Sequence, residues 1–159
     1  MIQVHFPDDC SCEFYEGDGD VIGAAISASD WQSLRNGTAA HSFVGFPLYI
    51  IGFYIVELTG VIASEIQQPK LQLIAGRMVA GEDGHWAADV LPVEWVAAMA
   101  SVPAKSIPAI IQHWKLECTR VYDEIDDWQE GELLDPLNRL IVLCQEALSR
   151  RTDVVFLCL

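Results

Sequence analysis

The chain has 159 residues, a length typical of one domain, and 52% of them are apolar, which excludes a disordered polymer. Its 23 acidic residues against 9 basic ones give a formal net charge of −14. That field repels nucleic-acid phosphates and anionic membrane surfaces, favours cations and basic proteins, and keeps an apolar chain soluble whatever its partner.

In chain order, residues 2–6 (Ile-Gln-Val-His-Phe) alternate with period two and predict a strand, with 12–15 as a candidate second strand after a turn at Pro7, Asp8 and Asp9. Residues 16–20 read as an acidic loop. Residues 27–36 read as a short helix, capped by Ser27 or Ser29 and stopped by Gly37. Residues 43–63 carry one charge, Glu57, and are long enough to span a bilayer. Glu57 at membrane depth would cost about 3 kcal/mol, and no basic cluster flanks the run. The expectation is therefore a buried core helix starting at Pro47, with Gly45, Gly52, Val56, Gly60 and Ala63 on one stripe. Residues 71–80 are ambiguous between strand and helix, and Gly81–Gly84 reads as a turn.

Beyond the turn, residues 92–101 predict a helix, and a second runs from a cap at Ser106 toward Tyr122. Asp135-Pro136 reads as a helix start, followed by Leu137, Leu140, Ile141, Cys144 and Leu148 at helical spacing. Residues 153–158 form a short apolar run that reads as a buried strand. The fold class expected is a helix-rich α+β single domain over residues 1–159, its small sheet pairing strands 2–6, 12–15 and 153–158.

Several local patterns carry little chemistry. Cys10-Ser-Cys12 has the wrong spacing for structural zinc and lacks a second pair, so no metal site is expected. In Gly17-Asp-Gly-Asp-Val-Ile-Gly23 the third glycine falls one residue late for dinucleotide binding, and the aspartates would repel a pyrophosphate. His41-Ser42 lacks the glycines of a nucleophile elbow. No catalytic residue and no cofactor are assigned. The five cysteines are odd in number and the N-terminus has no basic-then-apolar signal, which points to reduced thiols in a cytoplasmic protein.

The strongest functional signal is the stretch 122–135, with seven carboxylates in fourteen residues and no Lys or Arg. Asp123, Glu124, Asp126, Asp127, Glu130 and Glu132 surround Trp128, an aromatic that normally prefers burial. These seven residues are the expected partner-binding set. Asp135, and Glu82, Asp83 and Asp89 farther off, would add charge. The reading is a non-enzymatic module that docks a basic protein through an acidic face, with Trp128 as its anchor. Small acidic proteins that neutralise bacterial toxins are similar in size and charge, an analogy of class, since no motif identifies a family. Two alternatives stand beside it. One is a small hydrolase or metal-dependent enzyme using His113 and Glu117, four apart on a helix, with nearby acids. The other is a regulatory or ligand-binding domain that dimerises through the glycine stripe.

Overall fold

A computed structural model of the chain describes residues 12–47, 49–73, 76–82, 85–122 and 128–158. The strand expected at residues 2–6 lies outside them, as do Asp123, Glu124, Asp126 and Asp127.

Five strands are described: β1 (Cys12–Gly17), β2 (Ser42–Phe46), β3 (Arg77–Glu82), β4 (Trp86–Val90) and β5 (Asp153–Cys158). They form one antiparallel sheet in the order β2-β1-β5-β4-β3. The pairing of an early strand with the last one holds: Phe14 stands opposite Phe156 and Cys12 opposite Cys158. β5 is the central strand, which accounts for its unbroken apolar run, because both of its faces are covered.

Helices cover the two faces unequally. α1 (Gly19–Ser27) and α2 (Trp31–Arg35) pack Ile22, Ile26 and Leu34 against Tyr15, Val155 and Leu157. Gly23 brings α1 against the β3 backbone, where an added Cβ would collide with the Val79 carbonyl. The other face carries α3 (Gly52–Glu65), α4 (Val93–Ala100), α5 (Ile107–Tyr122) and α6 (Glu130–Arg150). Their apolar stripes enclose Phe14, Val44, Phe46, Val154 and Phe156 in the larger core. The α+β class is as expected, with a larger sheet than the sequence indicated.

Four elements differ from expectation. The apolar run 43–63 is two elements, because Phe43, Val44 and Phe46 favour a strand and pair with β1. Pro47 has no N–H for the ladder and ends that strand. α3 starts only at Gly52 and is amphipathic: Ile55, Leu58 and Ile62 are buried, while Phe53 and Val56 are exposed. No described helix is long and apolar enough to cross a membrane. Gly45 lies in β2 and Gly60 faces open space, so the glycine stripe does not exist as one helix face.

The segment 16–20 is not a loop. Glu16 and Gly17 complete β1, and Asp18 caps α1 by accepting from the Asp20 and Val21 amides at 2.9 and 3.1 Å. The helix expected at 27–36 divides at Ser29, which is left-handed (φ 53°), and Asp30 caps the second piece. Finally, α6 begins at Glu130 and contains Pro136. Leu133 is buried and continues the stripe of Leu137, Leu140, Ile141 and Cys144. That extra buried turn outweighs the hydrogen bond Pro136 cannot donate.

Candidate functional site

α3 places Phe53 and Tyr54 side by side, one facing solvent and one facing the core. α5 ends at Tyr122, whose ring centroid lies 6.3 Å from that of Phe53 and 5.4 Å from that of Tyr54. Phe53 is 65% exposed and Tyr122 37%. Val56 and Val121 extend the exposed apolar surface on the same two helices. Beneath lies a packed aromatic layer. The Trp114 indole donates to the Tyr54 carbonyl at 2.6 Å, and Trp128 meets Trp114 edge-on at 4.8 Å and Tyr54 at 5.5 Å.

Trp128 is therefore a core residue, 2% exposed, and not the surface anchor that the sequence indicated. Its indole N–H has no hydrogen-bond partner among the described residues, and the ring packs against Trp114 and Tyr54. The Lys115 ammonium donates to the Trp128 carbonyl at 3.3 Å, tying the segment back to α5.

Carboxylates are carried by the same elements. Glu130 and Glu132 are exposed in the first turn of α6, where negative charge complements the helix dipole. Glu132 accepts from the Tyr49 hydroxyl at 2.7 Å; burial, and then this carboxylate, push the Tyr49 phenol up to about 12. Glu57 stands one turn from Phe53. Burial, and then the field of Glu57, raise the pKa of Tyr122. Four further acids, Asp123, Glu124, Asp126 and Asp127, follow Tyr122 directly in the chain. Glu82 and Asp89 belong to the β3–β4 hairpin and not to these helices.

His113 and Glu117 do meet, at 3.7 Å, in a groove of about 290 Å³ that Glu57, Gly60, Val61 and Ser64 also line. Arg120, however, grips Glu117 through two N–H groups at 3.1 and 2.7 Å. Those bonds hold the Glu117 carboxyl below its usual range, so it is a poor proton acceptor. Among the described residues no three His, Cys, Asp or Glu side chains cluster closely enough to hold a metal ion.

Sequence reasoning missed two buried carboxylates on β1. Glu13, 1% exposed, accepts from the Tyr15 hydroxyl and, at 2.9 Å, from Arg35. Arg35 also lies over the Phe43 ring. Glu16, fully buried, bonds His41 Nδ1 at 2.8 Å, the Thr152 hydroxyl at 2.8 Å and the Arg150 guanidinium. Burial alone would raise the Glu16 pKa, but the bonds from His41, Thr152 and Arg150 outweigh it and hold the carboxyl below its ordinary value. Glu13 fell in the candidate strand 12–15 and Glu16 in the segment read as a loop, and their partners lie as far as 134 residues away.

No protein-family model matches the chain, and no curated protein or solved structure does. Any functional reading therefore rests on this geometry.

Proposed function

We propose that this chain is a protein-binding module that engages a basic partner through the surface where α3, α5 and the start of α6 meet. The observation that carries the reading is the exposed Phe53–Tyr122 pair, which a dense run of carboxylates follows in the chain. An exposed aromatic pair offers apolar area and ring faces at little conformational cost, and each ring can hold a Lys or Arg cation for about 0.5–2 kcal/mol. Asp123, Glu124, Asp126, Asp127, Glu130 and Glu132, with Glu57, supply a field that accelerates encounter with a basic surface. Phe53 and Tyr122 take the anchoring role and slow dissociation. Neutralisation of a basic toxin is the specific form of this activity that size and charge favour.

The test uses the wild-type chain and an Asp126→Lys/Asp127→Lys/Glu130→Lys variant as bait in cell extract, with captured proteins identified by mass spectrometry. The wild type is expected to enrich a basic protein in a salt-sensitive way, and the variant to recover about tenfold less of it. Equal recovery by both baits would sink the reading.

A further inference from the structure

At the opposite end of β1 from Glu16, two cysteines meet. Cys12 opens β1 and Cys158 closes β5, and the two are direct cross-strand partners. Directly opposed residues of an antiparallel pair have Cα atoms about 4.5–5.5 Å apart and side chains on one face. A disulfide needs roughly 4.4–6.8 Å, so the register puts this pair within bridging range. Both residues are thiols in the structure, and the Cys12 thiol hydrogen-bonds the Cys158 sulfur. Cys158 is half-buried and thus within reach of a small reagent, whereas Cys12 is fully buried beside it.

A third group completes the arrangement. The Cys158 sulfur also lies against Gly52, the first residue of α3, and bonding from Cys12 and then from the Gly52 N–H lowers its pKa. A Cβ at residue 52 would overlap that sulfur, so glycine is what admits it to the helix N-terminus. Amides at a helix start stabilise a thiolate. The other two described cysteines have no such setting: Cys118 and Cys144 are buried in the apolar core, and burial raises the pKa of both thiols.

We propose that Cys12 and Cys158 form a redox-active dithiol, with Cys158 as the attacking sulfur and Cys12 as the resolving one, that closes to a cross-strand disulfide. The co-reactant is a low-molecular-weight disulfide. The Cys158 thiolate attacks one of its sulfurs and expels a thiolate, leaving a mixed disulfide on Cys158. Cys12 then loses its proton, attacks the Cys158 sulfur and expels the second thiolate. Two protein thiols and one small disulfide become one protein disulfide and two small thiols, and two electrons pass to the reagent.

The experiment equilibrates the full chain with reduced and oxidised glutathione, quenches it with acid, and maps disulfides by mass spectrometry. A 12–158 crosslink is expected, with Cys118 and Cys144 still reduced. Closing so long a loop should raise the thermal midpoint by about 10 °C. The crosslink should persist in a Cys10→Ser variant, which removes the neighbouring thiol as a competitor. Cys12→Ser should trap glutathione on Cys158. In the reduced wild type, alkylation of Cys158 by iodoacetamide should titrate near pH 7. That readout needs no substitution, and Gly52→Ala should shift it upward. A disulfide that always includes Cys10, or a Cys158 that stays glutathionylated in the wild type, would overturn the proposal. Alkylation of Cys158 no faster than that of Cys118 would also overturn it.

Discussion

The chain treats its carboxylates in two ways. Glu13 and Glu16 on β1 are buried, and each is matched with a guanidinium and further hydrogen-bond donors. At the start of α6, Glu130 and Glu132 are exposed, and the stretch 122–135 contains no Lys or Arg. Desolvation explains the first arrangement. A carboxylate removed from water must be paired, and the fold brings Arg35 and Arg150 across 22 and 134 residues of sequence to do so. Water explains the second, because a solvated carboxylate needs no partner of its own. With so few bases in the chain and several of them held by individual acids, the aromatic surface keeps its negative field. The buried acids serve the fold, and the docking role proposed above falls to acids outside that buried pair.

Substitutions can break this contrast. Trp128→Ala should have the largest effect, a loss of about 3–5 kcal/mol in urea denaturation, because it empties a packed aromatic site. A loss below about 0.5 kcal/mol, the usual range for surface changes, would put the ring outside the core. Glu16→Gln comes next, at about 2–3 kcal/mol, since Arg150 and His41 lose a charged acceptor. The same pair sets a pH dependence. A carboxyl whose folded pKa lies below its unfolded value stabilises the fold above the unfolded pKa and loses that contribution as pH falls through the folded one. Wild-type stability should therefore drop on acidification below the ordinary glutamate range, and Glu16→Gln should flatten that limb. Parallel pH profiles for the two proteins would remove Glu16 from the account. Phe53→Ser should change stability least, within about 0.5 kcal/mol, as expected for an exposed side chain.

Part of this was legible in the sequence. Val154 to Cys158 declared itself a buried strand, and the helices at 93–100 and 107–122 followed from periodicity and their prolines. The run from Phe43 onward misled because a strand and a helix of equal apolarity adjoin, and only pairing with β1 separates them. Asp135-Pro136 misled because a buried Leu133 extends the helix past a strong local start signal. Within the candidate site the acid run was plain, but the burial of Trp128 was not. Proximity in sequence favoured Trp128, whereas Phe53 reaches Tyr122 across 69 residues through the packing of α3 on α5. The Cys12–Cys158 pair was hidden for the same reason, since register between distant strands is not a local property.

The most direct test of the docking surface is calorimetric titration of the basic protein that the wild type captures into a Phe53→Ala/Tyr122→Ala variant whose unfolding midpoint has been matched to wild type. A loss of at least about tenfold in affinity is the expected result. Unchanged affinity in a fully folded variant would contradict the assignment of this surface.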